Sequence, residues 1–463
     1  MSGGGHGPSS PLPFFDKIDG FFHGAHEQGV AFSAKPFLIA FPILILIFFF
    51  ISPAQSIRNF ELAFFLAPIW MPLILVTFAW ERWVDTNRLG YIAKQKNVLL
   101  ELRIPRDVRK SPLAMETFFT NLHIGPGEST WYKRLVQGQV RPWWSLEIVS
   151  LGGRVHFYIW TREGYRRAVE SALYAQYPEL EVIEAIDYTL MTDPTHAPMQ
   201  MWGCEHILRS EDAKPIKTYP SFMKPDAPLS KPEEQIDSLS QIIETLGGIG
   251  PKEQFWVQIL FRLSKNEKYA GRKTSDGKKY TIESEAGEII DSIRQGAVKK
   301  STYTDPLTGK VIETEGFPNP TKGQIEGIAA IENKVYRPIF DVAIRSIYTA
   351  PEGSFQGTMV SQLIGLWRNM EGFNGFKTAR WDSIFGDYPW EDKKGHHRAH
   401  LQHQLVDAFR RRSHFHVPYV LPYFMLNAEE LATLFHIPSA GVAAPSLARI
   451  PSATKEAPTN LPT

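Results

Sequence analysis

Residues 145–161 read SLEIVSLGGRVHFYIWT, and the rest of the chain is best read outward from this stretch. Two alternating runs, Ser145 to Leu151 and Arg154 to Thr161, flank Gly152-Gly153. A Gly-Gly pair reaches the positive φ angles that a two-residue β-hairpin needs. In the second run His156, Tyr158 and Trp160 share one face, and Val155, Phe157 and Ile159 the other. Upstream, Val98 to Ile104 alternates as a strand, and a helix is expected from Pro112 to about His123, capped by Ser111. Downstream, Arg162 to Tyr177 has helical spacing, Pro178 stops it, and Leu180 to Tyr188 forms another strand. The order β-α-β-β-α-β is the split ferredoxin-like plan.

The same plan reads through the second half. Met201 to Arg209 is a strand, Glu233 to Leu246 a helix, and Phe255 to Leu263 a strongly apolar strand. Phe340 to Thr349 alternates as clearly, Thr358 to Met370 reads as a helix, and Val417 to Leu421 is the candidate last strand. Residues 264–320 are polar and rich in Gly, Lys and Thr. They are expected as a partly mobile insertion with one helix at Glu285 to Arg294, followed by a helix from Thr321 to Val335. The expected organisation is a loose tail over 1–33, a hairpin over 34–80, module one over 81–190, module two over 191–437 and a disordered tail over 438–463. The fold class is therefore α+β: a two-helix transmembrane hairpin followed by two ferredoxin-like modules.

The hairpin expectation rests on two uncharged runs, Pro36 to Ile57 and Leu62 to Trp80. Each approaches the ~20 apolar residues that cross a bilayer. Arg82, Arg88, Lys94, Lys96, Arg103, Arg106, Arg109 and Lys110 follow the second run, whereas only Arg58 lies between the two. By the positive-inside rule the chain is a multi-pass protein of the inner membrane, with both termini and the large remaining region cytoplasmic. The lipid bilayer is then its first partner.

Composition narrows the chemistry. The 463 residues are 43% hydrophobic and 21% charged with formal net charge +1, which gives no global pull toward nucleic acid. Cys204 is the single cysteine, so no intrachain disulfide or thiolate cluster is available. There is no G-x-x-x-x-G-K-[ST]; the nearest stretch, Gly271 to Lys279, has the wrong spacing and lacks the hydroxyl that would ligate magnesium. G-x-S-x-G and H-E-x-x-H are missing too. The expectation is no enzyme, no catalytic residue and no cofactor. His396, His400 and His403 would share a helix face at metal-binding spacing, but Lys393, Lys394 and Arg398 crowd them and no carboxylate joins them, so a solvated stretch is the reading. Arg410, Arg411 and Arg412 form a basic cluster that could hold lipid phosphate or nucleic acid.

Several stretches together carry a resemblance: LLELRIPRDVRKSPLAMETFF, SLEIVSLGGRVHFYIWT followed by ESALYAQYPELEV, EQFWVQILFR, LNAEELATLFHIP and SLARIPSATKEAPTNLP. In this order they resemble the membrane-anchored N-terminal region, a domain of unknown function, of type IV secretion-like DNA-transfer ATPases from small-genome, largely uncultured bacteria. The resemblance spans most of residues 81–463. In that family a P-loop motor follows on the same chain; here the sequence stops where the motor should begin. The resemblance implies a non-catalytic scaffold of a conjugative assembly working with a separately encoded ATPase, with nucleic acid only an indirect partner and oligomers compatible with the role.

Overall fold

A computed structural model describes residues 49–106, 108, 110–125, 128–222, 237–304, 311–380, 395–439, 446, 447, 449 and 450. The chain divides into two compact units: residues 1–94, 127–140 and 415–422, and residues 95–126, 141–414 and 423–463.

The first unit is built on two helices, α1 (Pro53–Phe65) and α2 (Ala67–Ala93). Their bounds overturn the transmembrane hairpin. Among the described residues no helix is long and apolar enough to cross a membrane. Proline explains much of this. Pro53 has no N–H and crowds the preceding turn, so a new helix starts there and runs, with Arg58 and Glu61 inside it, through the expected loop. Pro68 has the same effect at Leu66, which separates α1 from α2 inside the expected second span. The uncharged part of α2 ends at Glu81. Residues 67–80 rise only ~21 Å, against the ~30 Å of a hydrocarbon core. The multi-pass inner-membrane placement, with its cytoplasmic termini, falls with the hairpin. Of the four expected span ends, Pro36 lies outside the described residues. Ile57 is exposed within α1, Leu62 is exposed near its end, and Trp80 is half-buried in the middle of α2. Later in α2, Asn87 donates to the Leu135 carbonyl at 3.3 Å. Gly138, at φ +64°, lets that segment approach the Asn87 backbone so closely that a Cβ would sit 2.3 Å from it.

The second unit is α+β. Its first half runs β1 (Asn97–Pro105), α3 (Leu113–Asn121), β2 (Trp144–Leu151), β3 (Arg154–Arg162), α4 (Arg166–Gln176) and β4 (Glu181–Glu184). The second half begins with β5 (Met199–Leu208), α5 (Ser240–Gly247) and β6 (Gln254–Leu263). After it come α6 (Ile282–Gly296), β7 (Val298–Thr304), β8 (Val311–Pro318) and α7 (Lys322–Tyr336). The half then resumes with β9 (Ile339–Pro351), α8 (Gly357–Ile364) and β10 (Phe376–Arg380). The chain ends with α9 (His396–Arg410), β11 (Phe424–Asn427), α10 (Ala428–Leu434) and β12 (Arg449–Ile450).

One sheet unites the halves in the order β10-β5-β9-β6-β2-β3-β1, with β11 also on β9 and β4 also on β1. These nine strands pair antiparallel, and β12 adds to β1 in parallel. Each half thus orders its own strands fourth, first, third, second. The halves join where β2 pairs with β6, from Trp144 opposite Phe261 to Leu151 opposite Gln254. At the β2–β3 turn Gly152 and Gly153 adopt φ +59° and +84°. One sheet face is apolar: the cross-strand row Leu100, Ile159, Leu146, Ile259 and Ile344 is fully buried beneath Phe118, Phe119, Ile243, Leu246 and Leu431 of the covering helices.

Three expectations shift. The second half is closed by β10, not by Val417 to Leu421, where only the short strand Tyr419–Val420 forms, within the first unit. The insertion is packed in a second small core, where Tyr269, Tyr280, Ile282, Ala286 and Ile290 meet Ala213, Ile331 and Met425 from outside it. The expected C-terminal tail begins in the main core instead, since Leu447 is buried there and Arg449 pairs with Ile104. Residues 451–463 lie outside the described residues.

Candidate functional site

Strand alternation puts a second, polar row on the other face of the sheet. Glu101, Tyr158, Glu147, Gln258, Arg345 and Glu205 stand side by side across six strands. Period two forces them to share a face once the apolar residues take the opposite one. Helix α9 covers part of it. Gly203 has no Cβ to block Leu405, and Phe409 packs on Trp256 with ring centroids 5.5 Å apart. All the ion pairs described below lie within the second unit.

Arg412 is the hub of this face. It is fully buried, at φ +50° just beyond α9, and its guanidinium reaches Glu147 at 3.0 and 3.1 Å and also binds Asp187. Glu147 further accepts from Ser145 at 2.7 Å, Gln258 at 3.0 Å and the Tyr188 hydroxyl at 2.8 Å. Burial pushes the Asp187 carboxyl up, but hydrogen bonds from Arg412 and Thr189 outweigh it and hold the group below its ordinary range. Burial and the neighbouring Glu147 drive the Tyr188 phenol well above its ordinary value. Further along the row, Arg345 donates to the Ser413 carbonyl at 3.0 Å and lies 3.6 Å from Glu205. Farther along the same β6–β9 pair Arg262 binds Asp341 at 3.0 Å, and Arg141 and Arg262 share Glu267.

The anion-site candidates are therefore engaged within the fold. Arg410 donates to the Thr189 and Thr192 carbonyls at 3.1 Å each, Arg411 is paired with Asp407 at 2.8 Å, and Arg412 is buried as described. The three arginines point to three different environments, which a run of three basic letters does not reveal. His396, His400 and His403 are exposed on α9; His400 contacts Gln404, and His403 packs edge-on against His196. Among the described residues no three or more His, Cys, Asp or Glu side chains gather as a metal site would require. The aromatic face of β3 is covered as well: Tyr158 stacks on Tyr188 at 5.3 Å, and Trp160 packs at a tilt against Trp143 at 5.8 Å. Sequence reading missed Glu147 and Asp187, although a lone Glu at the centre of SLEIVSL was the available signal.

The remaining surface feature is the helical arm of the first unit. Phe50, Ile51, Phe64, Phe65 and Val76 expose 63 to 82% of their surface, and Leu62, Met71 and Leu75 are exposed beside them. Isolated exposed apolar residues are ordinary, but a continuous run marks an interaction surface. Arg58 and Glu61 interrupt the run within α1, and Glu81, Arg82 and Asp85 follow it in α2. No family model matches this chain, and no curated protein matches it.

Proposed function

We propose that the chain is a non-catalytic scaffold of a type IV secretion-like DNA-transfer assembly, working with a separate P-loop ATPase. The observation that carries this reading is the apolar surface of α1, α2 and the residues just before them, eight large side chains that are 46 to 82% exposed. Arg58 and Glu61, which interrupt it, favour a protein partner over hydrocarbon, since uncompensated charges are costly in lipid. The sequence resemblance supplies the kind of assembly. Arg412, Glu147 and Asp187 at the sheet centre are bonded to one another, which suits a rigid platform. Anion binding through Arg410 to Arg412 is the less favoured reading, because Arg412 is buried and Arg410 is bonded to two carbonyls, which leaves Arg411 as the exposed member.

Phe64→Glu/Phe65→Glu tests the reading. Both rings are exposed, so the double substitution should change stability by no more than about 0.5 kcal/mol. The full chain isolated from its native cells should carry a P-loop ATPase that the variant loses. Recovery of the chain alone, or of the same partners with both proteins, would end the proposal. Binding to lipid vesicles that the variant loses, with no ATPase recovered, would assign the arm to a lipid surface instead.

A further inference from the structure

A cavity of about 420 Å³ opens in the second unit between the 215–221 segment, α7, the loop at 372–373 and the start of α10. Its volume is within the ~300–1,000 Å³ range of small-molecule sites. Several of its charged walls are already neutralised. Lys334, buried, donates to Glu430 at 3.1 Å, and Arg337 holds Glu116 at 3.0 Å and Glu429 at 2.7 Å. The groups that remain can all donate hydrogen bonds. Among the described residues no carboxylate pairs with Lys217, whose ammonium lies 4.1 Å from the centre of the Phe222 ring. Thr218, half-buried, and Ser221 and Asn333, both exposed, line the same space, and among the described residues their side chains have no hydrogen-bond partner.

The cavity also has a flat apolar wall. Phe373 is 52% exposed and its ring lies against α7 at Gly327, where a Cβ would come within 3.3 Å of it. Gly372 packs on the Lys217 backbone so closely that a Cβ there would approach its nitrogen to 2.9 Å. This contact ties the aromatic wall to the cationic one. An ammonium, two hydroxyls and an amide offer donors in excess, and donors in excess favour an oxyanion. An exposed ring beside them favours a planar body over a bare ion.

We propose that this cavity binds a small aryl oxyanion, its charged head at Lys217, Thr218, Ser221 and Asn333 and its ring against Phe373. The site is independent of the scaffold reading, since it lies outside the apolar arm.

Calorimetric titration of the full chain with phenyl phosphate is the test, with benzoate as the carboxylate counterpart and inorganic phosphate as the head alone. Saturable binding of phenyl phosphate or benzoate is expected, and whichever binds more tightly identifies the head. Lys217→Gln should weaken that binding at least tenfold, about 1.4 kcal/mol, while Lys217→Arg keeps it within about threefold. Phe373→Ser should weaken the aryl ligand and leave inorganic phosphate unchanged. Circular dichroism checks that each variant is folded. Absence of saturable binding by either aryl ligand up to about 10 mM, or equal binding by the folded Lys217→Gln protein, overturns the proposal.

Discussion

Arg412 joins the segment after α9 to the centre of the sheet, and its value is that it keeps Glu147 from being a buried, unpaired charge. Removing one partner of a buried pair typically costs ~3–5 kcal/mol, because the other is left desolvated. Arg412→Met should therefore lower stability by about that much in urea unfolding, and Arg412→Met/Glu147→Gln should recover part of the loss. His206 behaves differently. It lies on the apolar face, fully buried and bonded to Ser346 at 3.1 Å, and burial lowers its pKa to about 3. In the unfolded chain the imidazole titrates near ~6.5. Between these values the unfolded state binds a proton that the folded state refuses, so stability falls as pH drops from ~6.5 toward 3. Each unit should cost up to about 1.4 kcal/mol from this group. Urea midpoints measured from pH 7 to 4 should show His206→Gln losing less stability than the parent protein. Equal slopes would contradict a neutral buried His206.

Among the elements, the β2–β3 hairpin depends most directly on local chemistry. Gly152 combines a left-handed backbone with a Cβ position only 2.5 Å from the Pro251 carbonyl oxygen. Gly152→Ala meets both obstacles, and the left-handed conformation alone costs ~1–2 kcal/mol in an L residue. The expected loss is at least that much, read by chemical denaturation, with Gly164→Ala as a control at a position open to a Cβ. Boundaries elsewhere moved for reasons equally local. Leu180 to Tyr188 looked like one strand, yet only Glu181–Glu184 pairs, and Tyr188 turns inward to donate to Glu147. The helix expected from Thr358 to Met370 stops at Ile364, with Gly365 as its cap. Helix α10 starts where Asn427 and Glu430 cap one another, and Glu430 also receives Lys334.

At the level of the whole second unit, the β2–β6 pairing makes the two halves share one sheet. Trp144 on β2 stacks on Phe261 of β6 with ring centroids 5.3 Å apart, and Trp256 of β6 packs under Phe409. A shared core predicts that these halves unfold together. Tryptophan fluorescence and far-ultraviolet circular dichroism should give coincident urea transitions for this unit. Two separated transitions would show that the halves are independent despite their common sheet.

The alternation around Gly152-Gly153 was enough to place β2 and β3, because period two and a Gly-Gly turn act within a few residues. The strong runs at residues 255–263 and 340–349 were legible for the same reason. What the sequence left undetermined depends on contacts between distant residues. The membrane reading failed on a local feature instead: helix boundaries at Pro53 and Leu66 fall inside the two apolar runs and divide them. Three consecutive arginines looked like one patch until folding turned each toward a different partner. The cavity at Lys217 was not visible at all, since its walls come from four segments between residues 215 and 429. Local periodicity is written in neighbouring letters, whereas pairing of buried charges and closure of a cavity exist only once the chain has folded.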